Sequence, residues 1–264
     1  MSPLWRDRIA VFIGPASVHL TRYARGLRPR ETNRYALECG DDTGWQSVVD
    51  TLRRALVTLA WQRADAHVAV SNQFVRFALV PDAGKLRNDA ERSEAARHTL
   101  RSVYGEQAER WRVVLDHGGS RSAVAAGIER ELVDGVVATL AAAKLRAVSV
   151  EPLLATALNL CRREVGSEPT WFAVTEPGRI ALAYLDRGEW QTIRSRRLRA
   201  SLDQELPQLL EQSRLADGAE STVNRVLVVS RDALPDLSNG PDWTIEPIRI
   251  DGLSIISAEK AQES

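Results

Sequence analysis

A chain of 264 residues with 44% hydrophobic content can bury one large core or two modest ones. Lysine plus arginine equals aspartate plus glutamate at 35 each, so bulk charge gives no sign of a nucleic-acid partner. The longest apolar runs, such as residues 136–143, fall far short of the roughly 20 residues a bilayer-spanning helix needs, and no charged-then-apolar leader precedes Arg8. The expectation is a soluble, cytoplasmic chain without a transmembrane segment. Cys39 and Cys161 stand alone, without C-x-x-C or metal spacing, as reduced and buried thiols would. His19, His67, His98 and His117 form no ligand pair, so no metal is expected.

In chain order, residues 1–7 read as a loose lead-in, although Leu4 and Trp5 are apolar for a tail. Apolar alternation predicts strands over 8–13, 17–24 and 32–39. Thr43-Gly44-Trp45-Gln46 has the T-x-x-Q form of a capping box. The helix it opens ends near Arg63 and turns Trp45, Val48, Val49, Leu52, Leu56, Leu59 and Ala60 to one side. Residues 65–80 predict two strands broken at Ser71-Asn72-Gln73, the second stopped by Pro81-Asp82-Ala83-Gly84. A charged helix over 88–104 has a sparse apolar face of Ala95, Ala96, Leu100 and Val103. Strands at 111–116 and 121–127 flank a His117-Gly118-Gly119-Ser120 turn.

A helix over 129–144 follows, with Ile128, Leu132, Val136 and Leu140 four apart. Residues 145–150 are a strand. Glu151-Pro152 opens the next helix, where the missing proline N–H costs nothing, and Leu153, Leu154, Ala157, Leu158 and Cys161 make its buried face. Residues 166–170 are the linker candidate. The stretch 171–197 predicts three strands joined by tight turns. Ser201 caps a helix over 202–215 in which Pro207 predicts a kink or a late start. Residues 223–230 form a strand buried on both faces, 243–250 a short last strand, and 258–264 a frayed end.

The stretches 8–35 and 171–197 are twins. Pro15 and Pro177, Val18 and Ile180, Leu20 and Leu182, and Arg25-Gly26 and Arg187-Gly188 share one constant offset; Tyr23 and Tyr184 miss it by one residue. A repeat this far apart predicts two similar half-molecules rather than a solenoid. Two hairpin-led halves are the plan of the actin-like fold, a duplicated ribonuclease H-like α/β architecture.

The element order resembles PilM, the actin-like cytoplasmic family of type IV pilus assembly, with MshI and the cytoplasmic domain of GspL as relatives. The resemblance rests on residues 74–81 (FVRFALVP), 142–160 (AAKLRAVSVEPLLATALNL) and 173–188 (AVTEPGRIALAYLDRG), and covers about residues 8–230. It implies a first half over 1–165 containing an inserted small α/β subdomain at about 77–144, and a second half over 166–264. It also implies a ring component that holds the cytoplasmic N-terminal peptide of a PilN-like inner-membrane protein. Phe74, Arg76, Val80 and Trp111 are the candidate lining of that peptide's groove.

An actin-like ATPase needs amide donors and carboxylates in its two hairpin turns, and a glycine pair where adenine rests on bare backbone. The first turn, Ile13-Gly14-Pro15-Ala16-Ser17, has no carboxylate, and Pro15 deletes a donor. The second, Thr175-Glu176-Pro177-Gly178-Arg179, has one acid and again a proline. Arg231-Asp232-Ala233 stands where the glycine pair belongs. Gly14, Ser17, Glu176 and Gly178 are therefore candidate remnants of nucleotide turns, with no cofactor expected, ATP included. No G-x-S-x-G, P-loop or H-E-x-x-H occurs. The basic run Arg194-Ser195-Arg196-Arg197-Leu198-Arg199 reads either as a charged strand edge or as a surface for anionic headgroups or an acidic partner. The expectation is a non-catalytic platform of a pilus or secretion machine, peripheral at the inner membrane and self-associating into a ring. The alternatives are an ATPase or phosphotransferase with unusual turns, and a GspL-type module that docks an assembly ATPase.

Overall fold

The structure, a computed structural model, describes residues 6–26, 30–40, 44–61, 63–116, 121–216, 223–237, 243–252 and 254–256. Thr43 of the expected capping box, the 117–120 turn, Leu4, Trp5 and the 258–264 end lie outside them. The described residues separate into two compact units: up to 75, 110–112 and 128–156 in the first, and 76–109, 113–127 and from 157 onward in the second.

The first unit is built on a sheet that begins with β1 (Arg8–Ile13), β2 (Ser17–Ala24) and β3 (Arg30–Glu38). Val18 and Leu20 point into the core from β2, as their alternation requires, while β3 is exposed along nearly its whole length. Strand β4 (Asp65–Val70) lies parallel to β1, and β8 (Arg146–Pro152) parallel to β4, giving the order β3-β2-β1-β4-β8. Parallel neighbours need a crossover, and α1 (Trp45–Leu59), which follows β3 in the chain, carries it over to set β4 beside β1. Its buried stripe is Val48, Val49, Thr51, Leu52, Ala55 and Leu56, rotated from the expected one so that Trp45 and Leu59 are only half-buried. The helix stops at Leu59 because Ala60 turns left-handed, with φ of 49°. Helix α3 (Arg130–Ala142) packs on α1 so closely that a Cβ on Gly135 would stand 3.3 Å from Val49 Cγ1. Strand β8 runs on through Glu151 and Pro152, so α4 (Leu153–Leu160) starts one residue later than its proline suggested. Asn72 Oδ1 accepts the Leu154 N–H at 3.1 Å, doing the capping instead.

The second unit repeats the pattern. Its sheet contains β9 (Thr170–Glu176), β10 (Arg179–Asp186), β11 (Glu189–Arg197), β12 (Arg225–Ser230), β13 (Thr244–Asp251) and β14 (Ser254–Ile256), in the order β11-β10-β9-β12-β13-β14. Every residue of β9 is buried, which suits a central strand covered on both faces. After the short α5 (Arg162–Val165), the unit's long helix is α6 (Leu202–Ala216), which begins at its expected start and continues past Pro207. Its Leu202, Leu206, Leu209 and Leu210 meet Trp171, Ala173, Ile180, Leu182, Val226 and Val228 in one apolar cluster.

Each sheet thus has an antiparallel triple whose first strand pairs in parallel with the strand after the helix, so the sequence twins are structural twins. This is the duplicated actin-like plan. Between the halves of the first sheet run β5 (Val75–Pro81), α2 (Asp89–Tyr104), β6 (Trp111–Leu115) and β7 (Ser122–Glu129), with a separate sheet ordered β5-β7-β6. Asn88 caps α2, its side chain accepting the Glu91 N–H at 2.9 Å. The contacts divide the segment 77–144 that the resemblance marked as one insert. Helix α3 belongs with α1 in the first unit, whereas most of the three-stranded sheet and α2 belong with the second. The physical tie is Trp190 on β11: its Nε1–H donates to Asp116 at 2.7 Å, and its carbonyl accepts from the Ser122 hydroxyl.

Candidate functional site

The first hairpin turn closes through Gly14 N–H donating to the Ser17 carbonyl at 2.9 Å, around Pro15-Ala16. A Cβ on Gly14 would stand 2.9 Å from the Phe12 ring and 3.0 Å from the Ser17 carbonyl oxygen, so glycine is required by space. The Ser17 hydroxyl lies 2.9 Å from His19 Nε2. Both Gly14 and Ser17 are therefore engaged within the turn itself. At the neighbouring end of β4, the Ser71 N–H donates to the Ile13 carbonyl at 2.8 Å.

The second turn sits on a cavity of about 360 Å³, walled by Thr175, Glu176, Pro177 and Gly178, by residues 198–202, and by Ser230 with residues 232–235. Folding brings Glu176 and Gly178 together with the Asp232-Ala233 pair that the sequence placed at an adenine shelf. Strands β9 and β10 pair through Glu176 and Arg179, leaving Pro177-Gly178 as a two-residue loop with Gly178 at φ of 71°. Proline followed by glycine at positive φ is the demand of a type II turn. Glu176 is buried, with 7% exposure, at the end of β9.

Four backbone donors on this cavity's wall are engaged within the protein. Glu205, one turn into α6, folds back so that its carboxylate accepts the backbone N–H groups of Arg199 and Ala200, while Arg196 donates to its other oxygen at 2.9 Å. The Ala200 N–H leads in holding the Glu205 carboxyl below its ordinary value, with the Arg199 N–H and Arg196 adding to it. The Leu198 N–H donates to the Gly178 carbonyl at 2.9 Å, and the Asp232 N–H to the Ser230 hydroxyl at 3.0 Å. An internal carboxylate thus takes two amides of the cavity wall, the kind of donor that binds anions. Among the described residues no group of three or more His, Cys, Asp or Glu is placed to hold a metal ion. Glu205 was missed in the sequence; its only signal there is an acid four residues after Ser201, one beyond capping-box spacing.

Of the residues expected to line a peptide groove, Val80 and Trp111 are buried, with 3% and 9% exposure, and so contribute packing. Phe74 and Arg76 are half-buried and offer surface. Tyr104, on α2, donates its hydroxyl to the Phe77 carbonyl at 2.9 Å, fixing the strand that carries Arg76.

No protein-family model matches the sequence, and no curated protein matches it. Solved structures do match. The chain is similar to the PilM–PilN type IV pilus biogenesis complex, at 16% identity and a TM-score of 0.65, over 98% of this chain and 94% of that one. It is also similar to a Bacteroides thetaiotaomicron VPI-5482 protein with an actin-like ATPase fold (11% identity, TM-score 0.61, 88% and 84% coverage). A third is the cytoplasmic domain of EpsL, an inner-membrane component of the Vibrio cholerae type II secretion system (14%, 0.57, 91% and 89%). These likenesses establish the actin-like fold, as the resemblance to PilM and GspL implied.

Proposed function

We propose that this chain is a non-catalytic, cytoplasmic platform of a type IV pilus or type II secretion-like machine, peripheral at the inner membrane. Its partner is the cytoplasmic N-terminal peptide of a PilN-like inner-membrane protein, and copies of the chain assemble into a ring. The observation that carries the non-catalytic reading is Glu205, whose carboxylate sits on the Arg199 and Ala200 amides of the cavity beside the second turn. The fold likeness to a PilM–PilN complex supports the partner, and that similarity runs over nearly the full length of both chains. Extended peptides bind such proteins by backbone bonds for affinity and side-chain pockets for register. Half-buried Phe74 and Arg76 are the candidate apolar and charged contacts, while Val80 and Trp111 are buried. Among the described residues no helix is long and apolar enough to cross a membrane, so membrane association is assigned to the partner.

The test is fluorescence anisotropy with the labelled N-terminal peptide of a PilN-like protein from the same organism. Saturable binding that weakens about tenfold in Phe74→Ala is the expected result, from loss of one aromatic anchor. Absence of binding, or binding indifferent to both Phe74→Ala and Arg76→Ala, would contradict the partner assignment.

A further inference from the structure

The basic end of β11 is not explained by edge protection. Strand β3, the corresponding edge of the first sheet, mixes its charges: Arg30, Glu31, Arg34 and Glu38, with Arg34 and Glu31 paired at 2.7 Å. On β11 the guanidinium groups sort by face instead. Arg196 lies opposite Ile180 and turns toward α6, where it meets Glu205. Arg197 lies on the other face, directly opposite Arg179 of β10. Like charges in that cross-strand position cost stability. Arg179 donates to the Ser195 hydroxyl at 3.0 Å, but its Nε is buried without a hydrogen-bond partner. A third guanidinium, Arg76 of β5, acts on the same neighbourhood: burial, then Arg76, depress the Arg179 ionisation, and both arginines act on Tyr104. Glu176 acts on Arg179 in the opposite direction. Two neighbouring strands thus set the Arg179 and Arg197 guanidinium groups directly opposite one another.

The setting narrows the ligand class. Strand β11 is the end strand of its sheet, and among the described residues no strand but β10 pairs with it. The insert touches it at Trp190, through Ser122. The outer edge of residues 191–197 thus runs from that contact to the arginine cluster, a track for an extended backbone that ends in guanidinium forks. Such forks match carboxylates in bidentate geometry.

We propose that the β11 edge is a docking strand for an acidic, extended segment of a partner protein, which adds to the sheet and places a carboxylate against Arg179 and Arg197. Arg179 and Arg197 play no part in the peptide groove assigned above, so this site stands or falls independently of that reading.

The probe is a short fluorescein-labelled peptide alternating Glu and Val, titrated into the full chain by anisotropy. Binding is expected at about 50 mM salt, falling about tenfold or more by about 300 mM as the Debye length shrinks. The Arg179→Gln/Arg197→Gln pair should lose about tenfold while its melting temperature holds or rises, since like-charge repulsion is relieved. Should the pair not fold, Arg197→Gln alone, at an exposed position, should lose severalfold. The same peptide N-methylated at alternate residues, and a basic version with Lys in place of each Glu, should not bind. Wild-type affinity in the arginine variants, or undiminished binding of the N-methylated peptide, would overturn the proposal. So would tripolyphosphate binding at the arginines while the acidic peptide does not bind.

Discussion

Glu205 is the residue on which the cavity's chemistry turns. Its folded-state carboxyl titrates below its ordinary value, so its contribution to stability is fully present above the unfolded glutamate range, about 4.3. That contribution is lost as pH falls from there through the depressed folded value. Glu205→Gln should therefore melt lower than wild type at pH 7, and the gap should close progressively below about pH 4.3 in thermal scans. A gap constant with pH would show that the ionised carboxylate is not what matters. Glycines differ in a way that is also measurable. Gly178 has open space around a Cβ and only its φ of 71° to lose, so Gly178→Ala should cost roughly 1 kcal/mol. Gly14→Ala must push against the Ser17 carbonyl and the Phe12 ring and should cost more, about 1–3 kcal/mol by chemical denaturation. Cys161 is buried, and burial, then Glu164, push its thiol up to about 12. Half-buried Cys39 should react with iodoacetamide in the native protein at pH 8, and Cys161 only after unfolding.

Among the elements, β11 ties the three-stranded sheet to the main sheet of the second unit, and Trp190 is the means. Trp190→Phe keeps the buried ring but removes the N–H that reaches Asp116, a loss of about 1 kcal/mol in denaturant unfolding. Trp190→Ala should cost about 3–5 kcal/mol. Strands such as β1, β2 and β9 to β12 were legible in the sequence because alternation and turn residues agree there: Pro15 and Pro177 each open a two-residue loop, and Arg187-Gly188 closes β10 onto β11 with both residues at positive φ. The stripe of α1 was legible only to within a rotation, since Trp45 and Leu59 are apolar yet sit at its margins. The Trp190 bridge was not legible, because residues 116, 122 and 190 share no local pattern; only the fold brings them together. The same is true of Asn72, whose cap on Leu154 joins residues 82 apart in the sequence. In the candidate site, the poverty of the two turns in donors could be read directly from their prolines. That the remaining amides are held by Glu205 could not, because a side chain four residues past Ser201 folds back only when α6 is in place.

At the scale of the whole molecule, two sheets that share the order of their first four strands carry the actin-like plan, and Glu205 holds two amides of the cavity beside the second turn. A fold of this kind is a frame on which function depends on the site, not on the frame. The most direct measurement is isothermal calorimetry of the purified chain with ATP and magnesium, followed by a phosphate-release assay. The expected result is no saturable heat and no phosphate release at micromolar to near-millimolar nucleotide. Micromolar binding with stoichiometric heat, above all with phosphate released, would contradict the non-catalytic platform.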